Sequence, residues 1–146
     1  MSVTIYYRRR VWEAGSDIPY TFEERYGPFG NEEDALVDLR QQWNDGVFSI
    51  EYEGGFVMIP RGDIGMMRVE SPSAPKGYKP KSEVKVYLNN SDITYEGASA
   101  TEKIGTYAAI QTMWKSGLLF IRDAEYSNMV WCIPTDIVSY IKVRGY

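Results

Sequence analysis

Two stretches of the chain place apolar residues three and four positions apart. In residues 31–46, NEEDALVDLRQQWNDG, these are Leu36, Leu39 and Trp43; in residues 101–117, TEKIGTYAAIQTMWKSG, they are Tyr107, Ile110 and Trp114, each 71 positions later. Spacings of i, i+3 and i+7 share one side of a helix, so each segment is predicted to bury a stripe that ends in tryptophan. The flanks agree. Asn31 is a good N-cap followed by Glu32, Glu33 and Asp34, Ser99 with Glu102 has capping-box spacing, and Gly46 and Gly117 suit the left-handed residue that ends a helix.

Beyond each helix the apolar period shortens to two. Residues 47–52 and 118–121 read as strands, a turn follows at 53–55 or at 123–128, and a second strand ends in Ile-Pro at 56–60 or 129–134. A last strand is expected at 66–69 and 140–143. Val3, Ile5 and Tyr7 alternate ahead of the first helix, as Val84, Val86 and Leu88 do ahead of the second. These patterns predict an α+β architecture: a tandem repeat of two β-α-β-β-β modules, each a bent, small-barrel-like antiparallel sheet with one amphipathic helix. Residues 1–70 form the first module, 71–82 a Pro- and Lys-rich linker with Tyr78 as its one apolar anchor, and 83–146 the second module. Residues 12–30 read as a long loop rich in aromatic residues.

The run IPRGDIGMMRV at residues 59–69 resembles the second signature of Sm-like RNA-binding proteins, in which an Arg-Gly-Asn/Asp turn joins the last two strands of a small barrel. The resemblance spans 11 residues and implies a strongly bent or SH3-like sheet, a fold that does not by itself carry a function. The second half reads Pro134-Thr135-Asp136-Ile137, without the Arg-Gly.

Composition narrows the chemistry. The 146 residues contain no histidine, which removes the usual proton shuttle, the commonest metal ligand and every Ser-His or Cys-His nucleophile. Cys132 has no partner for an internal disulfide and aligns with Met58, as a core residue would. Glu51 and Glu53 alternate onto one strand face, where an acid/base pair or hard-metal site would stand, but two solvated glutamates meet the same pattern. Arg61-Gly62-Asp63 spells an adhesion tripeptide inside a repeated turn and carries no weight as a site. We expect a protein that is not an enzyme and uses no cofactor or metal.

Charge is uneven. Residues 1–70 hold 7 Lys+Arg against 13 Asp+Glu, residues 71–82 hold 3 Lys and no acid, and residues 83–146 hold 6 against 7. The acidic first module suits a basic protein partner better than a nucleic acid. The expected function is therefore protein binding, in the style of small, acidic, phage-encoded inhibitors of host or defence proteins, with Tyr20, Phe22, Glu23, Glu24 and Tyr26 as the contact residues. The alternative ligand is a nucleotide or RNA held by Arg8, Arg9, Arg10 and Arg61 with neighbouring aromatics; against it, Arg8 and Arg10 would share the solvent face of a strand and pair with nearby acids. No apolar run is long enough to span a bilayer and the first ten residues lack a signal-peptide pattern, so a cytoplasmic protein is expected, with self-association compatible.

Overall fold

A computed structural model of the protein describes residues 2–9, 24–89 and 92–146, and the chain divides into two units, Met1–Ser71 and Pro72–Tyr146. The architecture is mixed α+β, with mostly antiparallel strands and two helices. Among the described residues no sheet closes on itself.

In the first unit, β1 (Val3–Arg9) lies between β2 (Glu24–Phe29) and β5 (Ile64–Glu70), antiparallel to both. Between β2 and β5 the chain forms α1 (Glu32–Asp45), β3 (Val47–Tyr52), β4 (Gly55–Pro60) and a 3-10 turn (Arg61–Asp63). β3 and β4 make a separate two-stranded hairpin. Val3, Ile5 and Tyr7 are buried, as their alternation predicts, and so are Ala35, Leu39 and Trp43 of α1 and Phe48 and Ile50 of β3. Asn31 caps α1 by accepting a hydrogen bond from the Asp34 N–H through Oδ1 (2.8 Å), leaving the three acids in the first turn against the positive end of the helix dipole. Gly46, at φ 85°, ends the helix in the left-handed conformation that residues with a Cβ avoid.

β2 corrects the reading of residues 12–30 as one loop. It is an edge strand whose Gly27-Pro28 step interrupts the register between Val3↔Phe29 and Ile5↔Tyr26; glycine and proline hide such a strand from pattern reading, and proline is tolerated because an edge strand has N–H groups with no ladder to serve. Tyr20, Phe22, Glu23 and Arg10 lie outside the described residues.

The second unit repeats the element order. β6 (Ser82–Leu88), β7 (Thr94–Ser99), α2 (Lys103–Ser116), β8 (Leu118–Asp123), β9 (Met129–Pro134), a 3-10 turn (Thr135–Ile137) and β10 (Val138–Gly145) follow in sequence. The strands run in the order β10-β6-β7-β8-β9, each antiparallel to its neighbour. Each unit is thus β-β-α-β-β-β rather than β-α-β-β-β. Pattern alone hides β7 as it hides β2, because its Glu96-Gly97-Ala98 centre looks unlike a strand. Glycine is required there because Ile121 occupies the place of a side chain: a Cβ on Gly97 would lie 2.2 Å from Ile121 Cγ2.

The capping box at Ser99 and Glu102 does not form. Glu102 is the N-cap residue and its side chain makes no capping bond. Ser99 instead accepts the Thr101 N–H, and the buried Thr106 hydroxyl lies 2.8 Å from those of both Ser82 and Ser99. Ser82 also donates to the Thr101 carbonyl (2.8 Å), so a small hydroxyl cluster fixes the start of α2 to β6 where a cap would otherwise stand. The end of the proline-rich segment belongs to this unit too. Lys81 donates to the Ser99 carbonyl and accepts from the Tyr146 N–H, and the Arg122 guanidinium lies over the Tyr78 ring, 5.4 Å from its centroid.

Candidate functional site

The two helices share a pattern but not a fate. Trp43 is 6% exposed: its ring packs edge-on against Phe48, and the Arg61 guanidinium lies 5.4 Å from its centroid. The same guanidinium donates to the Trp43 carbonyl (3.0 Å), which also accepts the Gly46 N–H (3.1 Å) at the C-terminal end of α1. Trp114 is 43% exposed. Counting from Ile-Pro, the position of Arg61 is taken in the second unit by Thr135, which is too short to give either contact.

The expectation that α2 buries Tyr107 and Trp114 is therefore corrected. The helix turns Thr106 and Ile110 inward and leaves Ile104 (76% exposed), Tyr107 (56%) and Trp114 in solvent. Positions 104, 107, 111 and 114 run down one face, a stripe about 15 Å long at 1.5 Å per residue. Gln111 ties it together by donating from Nε2 to the Tyr107 hydroxyl (3.1 Å). α2 carries Lys103 and Lys115 and no acid, whereas α1 carries five acids and one arginine. The stripe is thus apolar and aromatic with a basic residue near each end. Comparing the turns after the two Ile-Pro steps was the signal that could have revealed it.

Of the arginines nominated for a phosphate or base ligand, the described ones, Arg8, Arg9 and Arg61, are already engaged with protein groups. Arg9 pairs with Asp63 (2.5 Å), which ties the end of β1 to the 3-10 turn, and Arg61 faces Trp43 as described. Arg8 is buried, contrary to its expected place on the solvent face, because the β1–β5 register shifts between Tyr7 and Arg9 and breaks the alternation there. Among the proposed contact residues, Tyr26 is half-buried with its ring edge-on to both Tyr7 and Phe29, and Glu24 opens β2.

A second cluster, unmarked in the sequence, lies on the outer face of β6 and β10. Tyr87 and Tyr140 stack with centroids 4.2 Å apart, and the Lys142 ammonium sits 5.6 Å from the Tyr87 ring centroid. Beside them Arg144 pairs with Glu83 (2.7 Å) and Lys85 lies 3.5 Å from the same glutamate. The hydrogen bond from Arg144 holds the Glu83 carboxyl below its ordinary pKa, aided by the charges of Arg144 and Lys85 and opposed by desolvation. These cross-strand pairs mutually neutralise charge, as on a solvated sheet face. Among the described residues no group of three or more acids or cysteines is placed to hold a metal ion, Glu51 and Glu53 included, and Cys132 is fully buried. No described helix is long and apolar enough to cross a membrane.

No family model matches the chain, and no curated protein or solved structure shows significant similarity to it.

Proposed function

We propose that this is a non-enzymatic binding protein that inhibits or regulates a protein partner, and that the exposed face of α2 supplies its anchor residues. The observation that carries this reading is the stripe of Ile104, Tyr107 and Trp114, three large apolar side chains left in water on one helix face. A surface aromatic side chain costs a monomer solubility, and an apolar helix face is what helix-in-groove recognition uses; here the anchors stand at i, i+3 and i+10, with Gln111 at i+7 between them. Tryptophan and tyrosine are also the side chains most often dominant at protein interfaces. Lys103 and Lys115 suit a partner groove with an acidic rim. In the same reading the two units are copies of one ancestral module, and loss of the arginine after Ile-Pro freed the second tryptophan for binding.

The test is capture of partners by the tagged protein from the cells that make it, with nuclease treatment, beside an Ile104→Glu/Trp114→Glu variant. A stoichiometric protein that survives nuclease and is lost with the variant supports the proposal. A nuclease-sensitive adduct lost instead on substitution of Arg8, Arg9 and Arg10 would favour a nucleic-acid ligand and overturn it.

A further inference from the structure

The hairpin of β3 and β4 exposes a second apolar surface, independent of α2. Phe56 is 70% exposed and Met58 65%. Both face away from Ile50, Phe48 and the core, opposite Glu51 and Ser49 in the hairpin register. The row lies on a free edge. β4 pairs with β3 alone among the described strands, and the hydrogen bond from the Arg61 N–H to the Gly46 carbonyl (2.9 Å) fixes the phase of the ladder. Counting from that bonded pair, 48/59, 50/57 and 52/55 are the hydrogen-bonded pairs, so the N–H and C=O groups of Phe56 and Met58 point to the open side. An exposed edge strand of six residues without a charge, GFVMIP, invites a further strand.

The chain carries a cover for an equivalent row. Phe56-Val57-Met58-Ile59-Pro60 aligns with Val130-Trp131-Cys132-Ile133-Pro134, and Val130 and Cys132 are buried by other parts of the same molecule. The row at β4 has no such cover among the described residues, and charge points to a second copy of the protein as its occupant. The complementary edge is β10, the outermost strand of its sheet, paired with β6 alone. Residues 47–60 carry Glu51 and Glu53 and no base, both exposed, while β10 carries Lys142 and Arg144 and no acid. The Lys142 ammonium rests on tyrosine rings rather than on a carboxylate.

We infer that the protein self-associates head to tail, the free edge of β4 in one copy adding to the free edge of β10 in the next. The contact is heterologous: each copy offers one edge of each kind, so assembly proceeds until a ring closes or a filament grows. The hydrogen bond from the Tyr146 N–H to the Lys81 carbonyl sets the phase of β10. With that phase a parallel ladder makes Phe56 and Met58 continue the row of Tyr140 and Lys142, with Glu51 one strand further along the same face.

The experiment is native mass spectrometry and sedimentation velocity of the full chain across a concentration series. It includes the edge-blocked variants Phe56→Lys/Met58→Lys and Tyr140→Glu/Lys142→Glu, alone and mixed, with circular dichroism confirming the wild-type fold. The wild type is expected to grow with concentration and each variant to remain monomeric. The mixture, which retains one intact β4 edge and one intact β10 edge, is expected to stop at a 1:1 dimer. Amide exchange on the wild type reads the same contact without a substitution: the Phe56 and Met58 N–H groups should gain protection as concentration rises. A wild type monomeric throughout, protection that does not change with concentration, or association that the β10 substitutions leave intact would each overturn the inference.

Discussion

Alanine at position 97 tests the close packing of β7 against β8. The added Cβ would stand 2.2 Å from Ile121 Cγ2, 2.9 Å from the Arg122 carbonyl oxygen and 3.5 Å from the Val84 carbonyl oxygen, whereas carbon atoms in contact settle about 3.5–4.0 Å apart. Neither close neighbour yields easily. Ile121 is buried, and the Arg122 oxygen belongs to a strand paired with β7 at Gly97↔Asp123 and Ala98↔Arg122. Relief requires β7 and β8 to move apart at their shared register. Overpacking of this kind costs about 1–3 kcal/mol, and a backbone clash added to a side-chain clash places Gly97→Ala near 3 kcal/mol. For a chain of this size that lowers Tm by about 10 °C. Urea unfolding followed by circular dichroism measures it, beside Ile121→Ala and the double variant. Ile121→Ala alone should cost about 2–5 kcal/mol through the cavity it leaves. The double variant should be more stable than the sum of the two by about 1–2 kcal/mol, because alanine at 97 fills part of that cavity. A Gly97→Ala protein as stable as the wild type, or strict additivity in the double variant, would refute the packing argument.

Three further outcomes follow from the geometry. Asn31→Ala should lose about 1 kcal/mol in the same unfolding assay, while Glu102→Ala, at an N-cap position that makes no side-chain bond, should change stability by less than half of that. Tyr78→Phe should leave stability unchanged or raise it, because the Tyr78 hydroxyl is buried without a hydrogen-bond partner among the described residues and burial already raises its pKa; a clear loss in a melting scan would show that the hydroxyl is satisfied in solution. Arg144→Ala should raise the Glu83 pKa toward its ordinary value in a carboxyl NMR titration. Since the folded-state pKa is depressed, the stability that this pair contributes is complete above the ordinary glutamate pKa and is lost as pH falls through the folded value. The difference between wild type and variant should therefore vanish in acid.

The elements with a strong period were legible without a structure. Both helices, their terminal glycines, the hairpins and the inward alternation of Val3, Ile5 and Tyr7 follow from local rules that act within a few residues. β2 and β7 did not, since each carries glycine at a place chosen by a neighbour: Gly97 yields to Ile121, which is 24 residues away in sequence. Arg8 was misplaced for a similar reason. Alternation predicts the face of a strand residue only while the register holds, and the β1–β5 register slips at that point.

The tryptophans show where a shared helical spacing stops being informative. Identical helical spacing places Trp43 and Trp114 at the same phase, and the helix by itself provides no reason for one to be buried and the other bare. The difference comes from a turn far along the chain, where one unit has Arg61 and the other Thr135. Arg61 supplies two contacts at once, a hydrogen bond to the last turn of α1 and a cation over the indole, and a cation–π contact plus a charged hydrogen bond contribute about 2–4 kcal/mol together. In α2 the side-chain contact to the following strand also changes: Gln42 accepts the Ser49 N–H in the first unit (2.6 Å), and the Met113 sulfur takes the matching place toward the Phe120 N–H (3.4 Å) in the second. Each substitution replaces a polar tie with a weaker or apolar one, yet the helix keeps its place through Ile110 and the Thr106 hydroxyl cluster. Trp114 is thus unnecessary to its own core, which leaves it free to contact another molecule.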